Sequence, residues 1–147
     1  MSDLGGILGG KSSAIHAVGP EDTVVEAVKE MCRHHVGALL VCEGDVTVGI
    51  VSERDVMSRL LLHRLDPATT SVGSIMTSEV VTIDIETEPD SAMRVMTERR
   101  CRHLPVTRDG RVVGIVSIGD LVRWVSQLRE HEVQLLKEYV CGGAYPG

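Results

Sequence analysis

The chain carries nearly the same seven residues twice, GIVSERD at 49–55 and GIVSIGD at 114–120. Aligning residue 49 with residue 114 extends the match without a gap over residues 13–55 and 78–120, with many aliphatic exchanges between the two stretches. A self-match of this length indicates a duplicated supersecondary unit. Because only two copies are present, the chain is predicted to fold as a pair of similar units and not as a solenoid.

Each copy shows the same order of predicted elements. A short apolar stretch, AIHAV or VVTIDI, precedes a helix whose start is marked by a Thr23–Glu26 capping box in one copy and by Pro89 in the other. Two apolar strands follow, joined by the turn residues EGD or RDG, and a second helix begins at each Ser-x-x-Asp. We therefore predict an α+β fold of two tandem β-α-β-β-α repeats packed as a pseudo-twofold pair, with a C-terminal helical extension.

The predicted boundaries are an N-terminal segment at 1–11, repeats at 12–66 and 71–127, and a C-terminal helix and loose tail at 128–147. Apolar residues near helical spacing continue past the second repeat. They are Leu121, Val125, Leu128, Leu135, Leu136 and Tyr139. Their spacing suits a helix folded back on its own repeat or a helix packed against a second subunit, and both interpretations remain open.

Composition limits the classes of partner. The net charge is −6, basic residues form no long run, and the chain has no Phe, one Trp and two Tyr. Clustered cations and stacking aromatics dominate nucleic-acid binding, so no nucleic-acid partner is expected. The stretch MSDLGGILGGK has neither the basic region nor the apolar length of a signal peptide or membrane span, and the four cysteines have no paired spacing. We expect a cytoplasmic protein that has no membrane partner.

The duplicated Ser-x-x-Asp supports two interpretations. A serine that ends a strand can cap the helix that follows, and an acid three residues later resembles a capping box. The same geometry directs helix N–H groups at a cleft, which favours a phosphate, while the carboxylate can accept two hydrogen bonds from vicinal ribose hydroxyls. The motif therefore either only caps the helix that follows it or also binds a nucleotide.

The segments HVGALLV…VGIVSERD and CRHLPVTRDGRVVGIVSIGD, with VGSIMT opening the second copy, resemble paired CBS domains, also called the Bateman module. The resemblance covers roughly residues 12–127. The chain is similar to small stand-alone bacterial members of this family. It implies a regulatory module that binds an adenosine-containing ligand between the repeats and forms a homodimer. AMP or NAD is favoured, ATP and S-adenosylmethionine are also compatible, and the regulated protein is not implied.

The resemblance also implies site residues, which divide between two clefts. Ser52 and Asp55 would bind the ligand in the first cleft, and Ser117 and Asp120 in the second. Ile50 and Ile115 would contact adenine. Arg102 and His103 would contact phosphate in the second cleft, and Arg54 would take their place in the first. The first copy has glycine and alanine where the second has Arg102 and His103. The second cleft is therefore expected to bind more tightly.

An assembly module and an enzyme are the two other classes of function to consider. An assembly module whose clefts are vestigial would show the same duplication, and it stays as the alternative. An enzyme would need a base or nucleophile, and the sequence suggests no catalytic set and no catalytic cofactor. The grouping of Cys32, His34 and His35 lacks a second ligand pair at zinc spacing, so no metal site is predicted.

Overall fold

The computed structural model describes residues 4–9 and 15–140 as two small sheets, each covered by helices. The strands are β1 (Ala17–Val18), β2 (Ala38–Glu43), β3 (Val46–Ser52), β4 (Ile83–Asp84), β5 (His103–Arg108) and β6 (Arg111–Ser117). The helices are α1 (Leu4–Gly9), α2 (Val24–His34), α3 (Glu53–Asp55, continued by a π-helical segment over Val56–Leu61), α4 (Val72–Ile75), α5 (Pro89–Arg99) and α6 (Ile118–Tyr139).

The two sheets have the same topology. In each, a two-residue strand pairs in parallel with the middle strand, which forms an antiparallel hairpin with the third. The hairpin turns contain Gly44 and Gly110, both at positive φ, where glycine has no steric penalty. The register is disturbed at the same place in both hairpins, after Val41 and after Val106. The predicted α+β fold with two β-α-β-β-α repeats is confirmed.

Local sequence explains where the first helix of each repeat begins and ends. Thr23 caps α2 in a capping box with Glu26, and Pro89 occupies the first turn of α5, as predicted. Both helices end at a residue in the left-handed conformation, His35 and Arg100, whose backbone N–H groups bond back into the helix. The two repeats therefore have equivalent helix ends as well as equivalent strands.

The two hydrophobic cores exchange helices between the repeats. The first core takes Val72 and Ile75 from α4, although α4 lies at the start of the second repeat in the chain. The second core takes Leu4 and Ile7 from α1, although α1 precedes the first repeat. Each repeat is thus completed by the helix that leads into the other one, a feature that the sequence analysis did not predict.

α1 and α4 are counterparts in their packing against the third strands. A Cβ built on Gly49 in β3 would lie 2.5 Å from the Met76 sulfur, and a Cβ built on Gly114 in β6 would lie 3.0 Å from a Leu8 methyl. Glycine is required at position 49, because the Cβ would also lie 2.9 Å from the backbone oxygen of Thr77, whereas the contact at Gly114 is with the end of a flexible side chain. Leu8 and Met76 each follow the second buried residue of their helix, so these two residues are equivalent in position.

The C-terminal helix α6 is continuous from the second motif to Tyr139. Its first turns are buried on the second core through Leu121, whereas Leu136 and Tyr139 are 63% and 77% exposed. The second half of α6 therefore does not fold back on its own repeat. The predicted tail at 141–147 lies outside the described residues.

Candidate functional site

Both Ser-x-x-Asp motifs form complete capping boxes. The Ser117 backbone N–H donates to Asp120 Oδ2 at 2.8 Å, and the Asp120 N–H donates to Ser117 Oγ at 3.1 Å. In the first motif the equivalent distances between Ser52 and Asp55 are 3.0 and 3.3 Å. Both aspartates are buried, at 6–7% exposure. The capping interpretation is correct for both copies, and it uses only one oxygen of each carboxylate, so the nucleotide interpretation remains compatible.

The second motif faces a large cavity between the repeats. Its volume is about 730 Å³, within the range that small-molecule sites occupy. The second repeat contributes Ile115 from β6, Ser117 and Asp120 from the motif, and His103 from the start of β5. The first repeat contributes the end of α2 and the start of β2, and α1 contributes Leu8 and Gly9. Helix exchange therefore puts α1 directly at this cleft.

The cavity is basic although the chain is acidic. Its described lining carries two arginines, four histidines and one aspartate, Asp120, in a chain whose net charge is −6. The basic side chains are Arg108, Arg123, His16, His34, His35 and His103. A cleft lined by one sign of charge raises the local concentration of ligands of the opposite sign. This cavity is therefore suited to an anion, with one carboxylate left to accept hydrogen bonds.

Two of the histidines form a stacked pair on the wall that the first repeat provides. The rings of His16 and His34 lie 3.6 Å apart and are nearly parallel, and His34 Nε2 lies 3.1 Å from a Glu30 oxygen. Burial, followed by the proximity of His34, lowers the pKa of His16, and Glu30 opposes that shift. A bound anion would raise the same pKa, since it stabilises the imidazolium form.

Asp120 has an exposed partner on the outer side of the motif. Arg123 donates to Asp120 Oδ1 at 2.7 Å, and the Arg123 side chain is 69% exposed. Such a side chain can turn away at little cost when a ligand hydroxyl approaches, because exposed ion pairs contribute little free energy. The contact between Arg123 and Asp120 is therefore one that a ligand hydroxyl could replace.

The first motif is covered by the segment that follows α4. The Thr77 hydroxyl donates to Asp55 Oδ1 at 3.3 Å, and the backbone of Thr77 exchanges hydrogen bonds of 2.8 and 2.9 Å with Ile50. Arg59 donates to the Met76 carbonyl at 2.8 Å and lies 3.8 Å from Asp55. Both oxygens of Asp55 thus have partners within the protein. None of the predicted first-cleft residues lines the 730 Å³ cavity.

The structure brings some predicted residues together and leaves others apart. Ser117, Asp120, His103 and Ile115 line one cavity, whereas Arg102 is exposed and is not among its described lining residues. Arg102 precedes β5, and its carbonyl accepts from the Ile118 N–H, which closes the strand onto α6. The phosphate role of Arg102 stays a prediction, since the structure places it beside the cavity's His103 but not in the described lining.

Arg54 is also used differently from the expectation. It is exposed, and its guanidinium donates to the Arg100 carbonyl at 3.3 Å, at the end of α5. The bond ties the first motif to the second repeat and matches a cation with the negative end of a helix. The phosphate role of Arg54 in the first cleft stays a prediction.

Several cavity residues were missed by the sequence analysis. His16, His35, Arg108 and Arg123 lie in the second cleft, and Gly9 approaches it from the N-terminal segment. His16 and His35 belong to the first repeat, so an assignment of residues to clefts by repeat could not find them. Arg123 stands one turn beyond the motif aspartate, a spacing that could have indicated an ion pair.

The repeats match a known family. The family model for the CBS domain matches residues 11–62 and again 72–127. The chain belongs to the CBS-domain family. A curated relative, the mitochondrial CBS domain-containing protein CBSX3 of Arabidopsis thaliana, is 42% identical over 128 residues, which cover 84% of this chain and 62% of the plant protein. The chain thus spans less than two thirds of that relative's length.

Solved structures of CBS pairs have the same fold. A CBS-domain protein from Burkholderia ambifaria superposes with a TM-score of 0.81 at 40% identity, covering 84% of this chain and 93% of that one. The CBS domain pair of protein MJ0100 superposes with a TM-score of 0.70 at 25% identity, covering 79% and 91% of the two chains, and was solved with 5′-methylthioadenosine and S-adenosyl-L-methionine. CBS pairs therefore include modules that bind adenosine compounds.

Metal sites and membrane-spanning helices are not found among the described residues. Within residues 4–9 and 15–140, no group of three His, Cys, Asp or Glu side chains is arranged to hold a metal ion. No helix in the same part of the chain has the length and apolar character needed to cross a membrane.

Proposed function

We propose that the protein is a non-catalytic regulatory module that binds one adenine nucleotide in the second cleft. The observation that carries the proposal is the basic cavity in an acidic chain, with the Ser117–Asp120 motif on its wall. Ribose hydroxyls would donate to Asp120, displacing Arg123, and the phosphate would contact His103 and the motif's N–H groups. Ile115 offers an aliphatic surface to adenine, consistent with a chain that has no Phe.

Ligand choice within this class follows from the charge of the cavity. Four histidines and two arginines favour a ligand that carries phosphate over an uncharged or cationic adenosine compound. We therefore favour AMP or NAD, with ATP next, and place S-adenosylmethionine last because its sulfonium is positive. The regulated partner is a separate protein whose identity the cleft does not specify.

A thermal-shift panel of AMP, ATP, NAD and S-adenosylmethionine tests the proposal. A ligand that binds only the folded state raises the melting temperature, by an amount set by its concentration relative to its dissociation constant. We expect at least one phosphate-bearing compound to stabilise the wild type and none to be consumed. Asp120→Asn removes the proposed ribose acceptor and should reduce the shift. Flat curves for all four compounds at millimolar concentration would reject nucleotide binding.

A pure assembly module is the second candidate, because the described chain exposes two apolar surfaces. One lies on the second half of α6, and the other on the π-helical segment after the first motif. The exposed side chains are Leu128, Val133, Leu135, Leu136, Tyr139 and Val140 on α6, and Met57, Leu61, Leu62 and Leu65 on the other surface. Groups of exposed apolar side chains close together in the chain are candidates for an interface.

We propose that these surfaces form the interface of a homodimer, whether the protein is a nucleotide-binding module or an assembly module. Light scattering should give twice the chain mass of 15.9 kDa at micromolar concentration. Dimer formation together with flat melting curves would support the assembly module, and dimer formation together with ligand shifts would support the nucleotide module. A monomer mass would contradict the dimer and leave the ligand question to the thermal panel.

A further inference from the structure

We propose that the stacked His16–His34 pair couples ligand binding in the second cleft to the uptake of a proton, so that the cleft holds a phosphate-bearing ligand more tightly as the pH falls. The inference rests on the proposed function, since it assumes that such a ligand occupies the cavity, and it adds a way in which that binding is regulated. Both histidines line the cavity, and both belong to the wall that the first repeat provides.

The pair is held in place by two different elements. His16 directly precedes β1, and its carbonyl accepts from the Leu40 N–H in β2 at 3.2 Å. His34 is the last residue of α2, and its Nε2 lies 3.1 Å from a Glu30 oxygen. The ring centroids lie 3.6 Å apart, with 12° between the ring planes. The two imidazoles are therefore fixed face to face on the cavity wall.

This pair is not part of the duplicated pattern that forms the fold. In the 65-residue register of the two repeats, Val81 takes the place of His16 and Arg99 takes the place of His34. Val81 packs against the second core, so an aliphatic side chain meets the packing needs of that position. The fold thus does not require an imidazole here, which favours a role for the pair in the cavity.

The stack accommodates one positive charge more easily than two. Two imidazolium rings in this arrangement would repel each other, and Glu30 contacts only His34 of the two rings. The other Glu30 oxygen lies 2.8 Å from Arg33, so this carboxylate is shared between Arg33 and His34. Burial, followed by the proximity of His34, lowers the pKa of His16 from 6.5, and Glu30 opposes that shift without cancelling it. His16 is therefore mainly neutral at neutral pH.

The other ionisable groups around the cavity include more bases than acids. From the described elements they are His35 after α2, His103 and Arg108 on β5, and Asp120 and Arg123 on α6. Glu53 of the first motif also approaches this wall, since a Cβ built on Gly37 would lie 3.0 Å from its Oε1 and 3.1 Å from His103 Nε2. A phosphate in the cavity supplies the negative charge that a second imidazolium needs. An opposite charge within about 4–6 Å shifts a pKa by about 1–3 units.

Ligand binding and protonation then favour each other. With His16 neutral in the free cleft and protonated in the complex, binding takes up a proton. The affinity is highest below the pKa of the free cleft, which itself lies below 6.5, and it falls as the pH rises through the higher pKa of the complex. A pKa that rises by one unit corresponds to about a tenfold gain in affinity over the whole window.

Calorimetric titration of the full chain with AMP, in buffers of different ionisation enthalpy, measures the protons taken up. At about pH 7 the wild type should take up a clear fraction of one proton per AMP, and His16→Gln should take up less. The AMP phosphate, with a second pKa of about 6, titrates in the same way with both proteins, so the difference belongs to His16. His34→Gln removes the other half of the stack and is the second variant if His16→Gln does not fold.

Adenosine is the matched ligand, because it lacks the phosphate. Its binding should take up the same number of protons in the wild type and in His16→Gln.

The pH dependence of affinity gives an independent measurement. From about pH 8 to about pH 6, the ratio of wild-type to His16→Gln affinity for AMP should rise severalfold in favour of the wild type. Glu30→Gln keeps the shape of the side chain and removes its charge. Because Glu30 opposes the lowering of the His16 pKa, this variant should show its rise in affinity at lower pH than the wild type.

The outcomes separate this inference from the proposed function. A wild type that binds no adenosine compound would reject the function and the coupling with it. AMP binding with the same proton uptake and the same pH dependence in the wild type, His16→Gln and His34→Gln would reject the coupling and leave the function intact. Proton uptake that depends on His16 with adenosine as much as with AMP would also reject it, since the phosphate would then have no part in the coupling.

Discussion

The first and second clefts share their motif but differ in what covers it. The first is closed by Thr77, whose hydroxyl and backbone bond to Asp55 and Ile50. The second lines a cavity of about 730 Å³ between the repeats, where Arg123 contacts the outer oxygen of Asp120. The comparison teaches that two copies of one motif can lie in different surroundings, one covered by a neighbouring segment and the other at a large cavity. In both clefts the motif performs the same folding task.

The largest effect is expected from the helix that covers the second cleft. Leu4 is completely buried in the second core, so Leu4→Ala should lower the free energy of unfolding by about 2–5 kcal/mol. Its counterpart Val72→Ala should cost less, since valine loses fewer buried atoms. Urea unfolding measures both, with Val46→Ala as the control, because Val46 is exposed on β3 and lies outside both proposed dimer surfaces. A Leu4→Ala variant as stable as Val46→Ala would show that α1 does not complete the second repeat.

An intermediate effect should distinguish the two basic residues at the start of β5. His103 lines the cavity and Arg102 does not, so His103→Ala should weaken AMP on the order of tenfold, as expected for the loss of one charge-assisted bond of about 1.5 kcal/mol. Adenosine, which lacks the phosphate, should be affected much less. Arg102→Ala is the matched control and should leave both affinities nearly unchanged. Equal losses of AMP and adenosine in His103→Ala would contradict a phosphate contact.

The smallest effect should come from the stacked histidines, a feature found in the second cleft and not in the first among residues 4–9 and 15–140. The pKa of His16 is lowered from 6.5 by burial and by His34, so the folded state binds fewer protons at this site than the unfolded state. Its contribution to stability is complete above pH 6.5 and is lost as the pH falls below that value. His16→Gln should therefore flatten the acid side of a melting-temperature profile, and saturating AMP should reduce the wild-type slope. Identical profiles for the two proteins would contradict this.

Much of the fold was predictable because its signals are local and repeated. The capping box at Thr23, proline at the start of α5 and glycine in each hairpin turn specify element ends directly. The duplication then showed that one pattern applies to both halves. The helix exchange was not predictable in this way, because LGGILG is too short and too rich in glycine to indicate a buried helix. Only its packing against Gly114 identifies it as the counterpart of α4.

The candidate site was predictable only in part. Four predicted residues line the cavity, and all four come from the second repeat: Ser117, Asp120, Ile115 and His103. The wall that carries His16 comes from the other repeat, through tertiary contacts that no spacing encodes. The covering role of Thr77 depends on a hydrogen bond across 22 positions, between residues in different repeats of the chain. Sequence can suggest unequal clefts, but it could not indicate which contact makes them unequal.

The most direct test of the unequal clefts is a calorimetric titration of AMP into three proteins: wild type, Asp120→Asn and Asp55→Asn. Each exchange removes a charge and keeps the side chain's shape, and an amide oxygen can still cap the helix. Hydrogen bonds to a charged group contribute about 1.5–3 kcal/mol, so Asp120→Asn should weaken AMP on the order of tenfold or more. Asp55→Asn should bind AMP as the wild type does, at one per chain. Equal losses in the two variants, or a loss in Asp55→Asn alone, would contradict the assignment of the nucleotide to the second cleft.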